Sequence, residues 1–161
     1  MLLSRCFPHI MSLRNSSSSS IHGRILLVDD NVNGSSARKT VLEEIGHKID
    51  VASSGADALE QFAQRKYDLV VTDYKMPRMD GLELIERLRK QQPDISIVLV
   101  SGFVDTLGLN ESTSGADAVI QKSNNEVTHL VRAVNRLLRR KPSKKPVAAD
   151  GRPSKAKRHA V

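Results

Sequence analysis

The sequence predicts an α/β domain in which five parallel strands alternate with helices. Short β-branched or aliphatic runs alternate along the chain with stretches whose apolar residues recur at helical spacing. Three of the runs, at residues 25–28, 69–71 and 95–100, are almost entirely apolar. Strands with this pattern are covered by helices on both faces, as the central strands of a parallel sheet are.

Two shorter runs, at 49–52 and 118–120, suit flanking strands. Three segments between the strands have apolar residues at helical spacing, which predicts amphipathic helices. Their stripes are Ala37, Val41 and Ile45; Leu59, Phe62 and Ala63; and Leu82, Ile85 and Leu88. Residues 106–114 carry weak helix signals, whereas residues 127–138 form a clear amphipathic pattern. We therefore expect five helices around the sheet.

Charge is distributed unevenly along the chain. Residues 24–138 carry 14 basic and 17 acidic side chains, whereas residues 139–161 carry nine basic and one acidic, within a whole-chain net charge of +7. The basic excess therefore belongs to the C-terminal segment and does not indicate a basic nucleic-acid-binding fold. We expect a disordered Ser-rich leader at 1–23, one domain at 24–140 and a disordered basic tail at 141–161.

The chain has a single cysteine, Cys6, which excludes an internal disulfide and a thiolate cluster for zinc. No apolar run reaches the length of about 20 residues that a bilayer requires. Arg5, Pro8 and His9 interrupt the N-terminal segment, which disfavours a secretory signal, and a disordered leader is preferred over an organellar targeting peptide. We expect a cytoplasmic protein without a membrane partner.

Polar side chains collect at the carboxyl ends of the predicted strands, where open parallel sheets bind ligands. Asp29 and Asp30 end the first strand, Asp73 follows the third, Ser101 ends the fourth and Lys122 ends the fifth. Three neighbouring carboxylates require a cation or protonation. An all-oxygen cluster favours Mg²⁺, because zinc would want His or Cys ligands. The pattern therefore predicts a magnesium site suited to phosphoryl chemistry.

An aspartate can attack phosphorus and form an acyl phosphate where a metal and a fixed cation neutralise the transferred group. We assign Asp73 as the nucleophile, Lys122 as the cation and Ser101 as a hydroxyl donor. Each residue alone has a structural interpretation, since turn aspartates, loop serines and surface lysines are common. Their occurrence at several strand ends together favours the functional interpretation. Asp80 is predicted only to cap a helix.

Residues 24–138 resemble the response-regulator receiver family in four segments, ILLVDDN, VVTDYKMPRMDGLEL, VLVSG and AVIQK. The resemblance implies a flavodoxin-like doubly wound sheet with strand order 2-1-3-4-5. It also implies that Asp73 is phosphorylated from a sensor histidine kinase or a histidine phosphotransfer protein. Ser101 would then move toward the phosphoryl group, and Lys122 would pair with it.

The resemblance further implies the ligand set of the metal. Asp30 and Asp73 would ligate Mg²⁺ directly, Asp29 would act through water, and the backbone carbonyl of Lys75 would complete the protein ligands. These assignments are expectations carried over from the family position by position.

Three positions depart from the family pattern. Val119 stands where the family usually has an aromatic side chain that rotates inward on activation, so coupling through a ring is excluded. Ser123 follows Lys122 where the family usually has a cis proline, and a serine strongly favours the trans bond. The side chain of Lys75 could lie over the phosphoryl site, which predicts an altered lifetime of the phosphorylated form.

Several functions stay open at this point. We expect a response regulator that is not a turnover enzyme and has no attached output domain. It would dock to an unidentified downstream protein or relay phosphate between histidines.

Mg²⁺-dependent phosphatases with an aspartate nucleophile use similar residue types, but they usually place two acids two residues apart on the first strand. The basic tail could bind nucleic acid weakly by charge, although it lacks interleaved aromatic residues.

Overall fold

The structure, a computed structural model, describes residues 21–140. The predicted tail at 141–161 and nearly all of the predicted leader lie outside the described residues. Within the described part, five parallel strands form one sheet: β1 Arg24–Val28, β2 Lys48–Ala52, β3 Leu69–Asp73, β4 Ser96–Ser101 and β5 Ala118–Gln121. The strand order is β2-β1-β3-β4-β5, which confirms the doubly wound flavodoxin-like fold.

Six helices flank the sheet in the described residues, one more than predicted. They are α1 Val32–Glu44, α2 Gly55–Gln64, α3 Gly81–Gln91, α4 Val104–Leu107, α5 Glu111–Ser114 and α6 Glu126–Arg139. The segment with weak helix signals is divided in two because Gly108 takes a left-handed conformation at φ 58° and ends α4. Asn110 then starts α5 through a capping box with Thr113.

The sheet is buried on both faces, as the apolar runs predicted. Because successive strand residues point to opposite faces, Leu26, Val70 and Ile97 pack in the cluster that includes α2 and α3. Their neighbours Leu27 and Val71 pack in the second cluster, which includes α1 and α6. Two apolar layers therefore hold the strands, and the carboxyl edge of the sheet carries the polar residues.

The apolar stripe predicted for α1 is wrong. That stripe comprised Ala37, Val41 and Ile45. Ala37 and Ile45 are exposed in the structure, whereas Ser35, Arg38 and Leu42 are buried. Periodicity of apolar residues missed the buried face because a serine and a charged arginine occupy two of its three positions. The partners that allow Arg38 to be buried are described below.

The stripes predicted for the other long helices largely match the buried faces. Ile85 and Leu88 are fully buried in α3, and Phe62 is buried in α2. Ala63 is an exception, since it is exposed while Ala58 occupies the buried position. Among residues 21–140, no helix has the length and apolarity needed to cross a bilayer.

Side-chain caps start three helices at the carboxyl edge of the sheet. Asn31 caps α1, Ser54 caps α2 and Asp80 caps α3, each by accepting hydrogen bonds from backbone amides of the first turn. The Asp80 carboxylate accepts from the backbone amide of Glu83 at 2.9 Å, which confirms its predicted structural role. These caps fix where the loops after β1 and β3 end. Asp29 and Asp30 lie in the first of these loops, and Asp73 is the last residue of β3.

Candidate functional site

Three carboxylates meet at the carboxyl edge of β1 and β3. One oxygen each from Asp29, Asp30 and Asp73 lies within 4.8 Å of the others. The parallel register pairs Val28 with Thr72, so the residues that follow reach the same rim. Asp29 and Asp73 are buried and Asp30 is exposed, so the cluster has a closed base and an open mouth. The structure thus brings together the acidic residues predicted from the sequence.

Lys122, whose side chain is 37% exposed, lies against the buried Asp73. Its Nζ is 2.8 Å from Oδ1 and 2.9 Å from Oδ2 of Asp73. The hydrogen bond is directed to Oδ2, because the contact with Oδ1 is an ion pair without hydrogen-bond geometry. Oδ1 is therefore a buried carboxylate oxygen without a hydrogen bond among the described residues. The Lys122 ammonium neutralises part of its charge, and a ligand, an ion or water can supply the missing hydrogen-bond contact.

Burial raises the pKa of the Asp73 carboxyl above the ordinary value of an aspartate. The hydrogen bond and positive charge of Lys122 oppose this rise, and the negative charge of Asp29 adds to it. The charged carboxylate is thus held at a cost in the folded protein. A divalent cation among the three acids would relieve that cost, so the all-oxygen donor set fits Mg²⁺.

Replacing Asp73 by asparagine is expected to stabilise the metal-free fold at neutral pH. A raised pKa in the folded state means that this group favours folding below its unfolded pKa, and that the contribution is lost as pH rises through the folded pKa. Thermal unfolding in EDTA at pH 7 should therefore show a higher Tm for Asp73→Asn, by about 4 °C or more if roughly 1 kcal/mol is regained.

The matched control is Asp94→Asn, an exposed aspartate in the turn before β4. It should leave the Tm unchanged. A Tm of Asp73→Asn equal to or below that of the wild type would show that the carboxylate does not oppose folding. Repeating both measurements near pH 4 should reduce the difference, because more of the wild-type carboxyl is then protonated.

Ser101 is buried at the end of β4. Its hydroxyl oxygen accepts a hydrogen bond from the backbone amide of Phe103 at 3.0 Å, and its carbonyl accepts from the amide of Lys122 at 2.9 Å. A hydroxyl that accepts one bond still has its own hydrogen to donate. The structure therefore ties the predicted hydroxyl residue to the strand end that bears the predicted lysine.

An open cavity of about 500 Å³ lies over the cluster. Its lining comprises Asp30, Asn31, Asp73, Lys75, Met76, Pro77, Gly102, Phe103 and Lys122. Four of the predicted site residues thus face one cavity, while Asp29 lies beneath it. A smaller cavity of about 260 Å³, between β5 and α6, is lined by other residues and contains none of the three clustered carboxylates.

The side chain of Lys75 lies at the mouth of the larger cavity. Its Nζ is 5.8 Å from the centroid of the Phe103 ring, within the range of a cation–π contact, and 43% of Phe103 is exposed. The predicted metal-ligand role of the Lys75 carbonyl stays a prediction.

The other two positions that depart from the family pattern lie on β5 and just after it. Val119 is partly buried and packs against the cluster that includes α2 and α3. The peptide bond before Ser123 is trans, as expected for serine.

Arg38 is the site residue that sequence reasoning missed. Its Nη1 donates to Oδ2 of Asp29, and its Nε donates to Oε1 of Glu126 at 2.6 Å. Arginine is usually exposed, so the sequence pattern predicts no buried role for a charged residue on α1. The available signal was its spacing from Ser35 and Leu42, which places all three on one helical face.

The acidic partners of Arg38 keep its guanidinium protonated. Burial alone would lower the pKa of the guanidinium, but the hydrogen bond and charge of Glu126, with the charges of Asp29 and Asp73, raise it overall. Arg38 is therefore a permanent cation next to the acidic cluster.

Comparison with known proteins gives a consistent result. A family model described as "Response regulator receiver domain" matches residues 25–135. The response regulator receiver protein CpdR of Brucella abortus is 30% identical over 115 residues, which cover 71% of this chain and 96% of that protein. Probable histidine kinase 1 of Oryza sativa subsp. indica is 40% identical over 73 residues, which cover 45% of this chain but only 8% of the kinase.

Solved structures resemble the described fold as well. The response regulator protein TrrA of Thermotoga maritima, in complex with Mg(2+)-BeF, is 37% identical with a TM-score of 0.65, covering 71% of this chain and 97% of TrrA. TrrA in complex with the histidine kinase ThkA matches with a TM-score of 0.64, at the same identity and coverage. The similarity therefore spans the folded domain of this chain and nearly the whole of CpdR and TrrA.

Proposed function

Because the chain belongs to the response regulator receiver domain family, we propose that it accepts a phosphoryl group from a histidine kinase on Asp73, with Mg²⁺ at the acidic cluster. The observation that carries the proposal is the Asp73 carboxylate, which is buried beside Lys122 and has one oxygen without a hydrogen bond. A carboxylate at the wall of an open cavity, with a lysine ammonium beside it, is placed to attack phosphorus.

The proposed step transfers a phosphoryl group between two side chains. A new bond forms between an Asp73 carboxylate oxygen and phosphorus while the phosphorus–nitrogen bond of a phosphohistidine breaks, and the leaving imidazole keeps the electron pair and takes up a proton. Lys122 holds its positive charge against the carboxylate, and Ser101 has a hydroxyl hydrogen to donate to a phosphoryl oxygen. The product is an acyl phosphate on Asp73.

The metal would be held by Asp29, Asp30, Asp73 and the backbone carbonyl of Lys75, with the share of each ligand as the family resemblance implies. When bound, Mg²⁺ supplies the positive charge that neutralises the transferred phosphoryl oxygens. The chain's own residues supply the nucleophile, the fixed cation and the cavity that admits the donor.

A histidine kinase is the proposed donor, directly or through a histidine phosphotransfer protein. Support comes from the complex of TrrA with the histidine kinase ThkA, and from the kinase segment of Oryza sativa that resembles this chain. Such a donor draws on cellular ATP, so we propose a cytoplasmic location. Nucleic-acid binding by the basic tail is not needed for this function.

The phosphorylated domain would signal by docking. A group that binds one of two conformations better shifts the population toward it, and a downstream protein would recognise the favoured conformation. The protein then acts as a phosphoryl acceptor whose phosphate is lost by hydrolysis, without turnover of an external substrate.

Intact mass after incubation with acetyl phosphate tests the proposal. The wild type should gain about 80 Da, the mass of a phosphoryl group, in the presence of Mg²⁺ and not in EDTA. Asp30→Asn should reduce the gain strongly because it removes a metal ligand, whereas the distant Asp94→Asn should leave it unchanged. A gain that persists in EDTA would contradict the metal assignment. If neither acetyl phosphate nor a phosphorylated histidine kinase produced a gain, the acceptor role would be wrong.

A further inference from the structure

We infer that Arg38 is an internal counter-cation of the acidic cluster. It forms an ion pair with Asp29 and thereby lowers the affinity of the site for Mg²⁺. The inference deepens the proposed function and rests on it. It concerns a residue on α1 that lies outside the cavity and beneath the clustered carboxylates, where it acts through Asp29.

The contacts of Arg38 fix its guanidinium between two acids. The Arg38 and Asp29 side chains are only 5% and 1% exposed, and Nη1 is in contact with Oδ2 of Asp29. On the other side, Nε is 2.6 Å from Oε1 of Glu126, the first residue of α6. Buried charge-assisted hydrogen bonds of this kind are strong, and water cannot easily replace them.

Both carboxylate oxygens of Asp29 are engaged with protein donors. Oδ2 accepts from Arg38, and Oδ1 accepts from the backbone amide of Asn31 at 2.8 Å. Asp73 is also ion-paired, with Lys122, but the Lys122 side chain is 37% exposed, whereas the Arg38 side chain on Asp29 is only 5% exposed. A metal ion in the cluster would therefore compete with a solvent-exposed cation at Asp73 and with a buried ion pair at Asp29.

The backbone of α1 leaves room for this ion pair. A Cβ atom on Gly34 would lie 2.9 Å from Oδ2 of Asp29 and 3.6 Å from Nη1 of Arg38. The first distance is shorter than real side-chain contacts, so a larger residue at Gly34 would push into the pair. The glycine therefore leaves open the space in which Asp29 and Arg38 meet.

Charge counting shows the consequence for the metal. The three clustered carboxylates carry a charge of −3, and Lys122 and Arg38 together contribute +2. The net charge is therefore −1 before Glu126 is included. Without Arg38 the same groups carry −2. Since the attraction of a divalent cation grows with the negative charge around it, removing Arg38 should tighten Mg²⁺ binding. Removing the charge of Glu126 should weaken binding, because Arg38 then faces the cluster with less compensation.

Isothermal titration of the full chain with MgCl₂ tests the inference through binding alone. Arg38→Met, which keeps a long side chain without the charge, is expected to lower the Kd for Mg²⁺ by about tenfold at low ionic strength. Glu126→Gln is expected to raise the Kd by about two- to threefold. A loosened fold would weaken binding in both variants, so changes of opposite sign identify the charge effect.

Two controls separate this inference from the proposed function. Arg65→Met removes an equal charge at a residue whose side chain is 53% exposed and paired with Asp50, and it should leave the Kd unchanged. Asp30→Asn should abolish binding in every background. If it does so while Arg38→Met binds Mg²⁺ no more tightly than the wild type, the Arg38 inference is overturned and the metal site stands.

Other outcomes are equally decisive. Absence of Mg²⁺ binding from both the wild type and Arg38→Met would overturn the metal site and the inference together. If Arg38→Met fails to fold, Glu126→Gln provides the test. A Kd of Glu126→Gln for Mg²⁺ equal to or below that of the wild type would contradict the counter-cation role of Arg38. Tighter binding by Arg38→Met with weaker binding by Glu126→Gln would establish it.

Discussion

Asp73→Asn is expected to abolish Mg²⁺-dependent phosphorylation of this protein. The neutral amide lacks the nucleophilic charge of the carboxylate, so the rate of acyl phosphate formation should fall by at least about a hundredfold. The measurement is the fraction of protein that gains about 80 Da with acetyl phosphate and Mg²⁺ over a time course. The same variant is expected to be more stable than the wild type without metal, so the loss cannot be attributed to unfolding.

Asp80→Asn is the matched control for this substitution. Asp80 ends the loop that follows Asp73 and caps α3, and asparagine is an equally good N-cap, so both folding and phosphorylation should be retained. Undiminished phosphorylation of Asp73→Asn would assign the acceptor to another residue. Peptide mapping of the added phosphate would then show whether the exposed Asp30 in the same cavity takes it.

Gly81→Ala is expected to destabilise the fold strongly. A Cβ atom there would lie 2.5 Å from the carbonyl oxygen of Asp73, 2.9 Å from Cδ1 of Leu99 and 3.0 Å from Cα of Tyr74. Two of these three atoms belong to the backbone at the site, so a side-chain rotation cannot remove the clash. The loss should be about 3 kcal/mol, at the upper end of the usual cost of overpacking.

Urea unfolding followed by circular dichroism measures this loss. Gly102→Ala is the control, because no atom lies within 4 Å of a Cβ at that position, and its effect should stay within about 0.5 kcal/mol. Equal stability of the two variants would mean that the loop between β3 and α3 shifts easily. In that case the hydrogen bond from the Gly81 amide to the Tyr74 carbonyl, 2.8 Å long, would not hold the loop in place.

Much of the fold was predictable because a parallel sheet leaves a strong pattern in the chain. Strands buried on both faces have to be apolar throughout, and each of the five predicted runs became a strand. The strand order came from the resemblance and not from the apolar pattern. The position of the acidic cluster was also predictable, since parallel strands end at a common edge and Asp29, Asp30 and Asp73 follow or end two of them.

Other features were invisible to pattern reasoning. The division of the segment at 106–114 into α4 and α5 depends on the left-handed conformation of Gly108 and on the Asn110 cap. Weak helix signals do not reveal such local backbone geometry. In α1, the apolar stripe failed because burial there depends on ion pairing and not on hydrophobicity.

The sequence by itself determined the residue types at the strand ends, and with them the chemistry that the site can support. Only the tertiary structure decided how the charges are paired: Lys122 on Asp73 from 49 residues away, and Arg38 between Asp29 and Glu126, nine and 88 residues away. Hydrophobic periodicity reports which face of an element is buried on average. It carries no information on which distant charge neutralises a buried one, because that depends on packing between α1, α6 and the sheet.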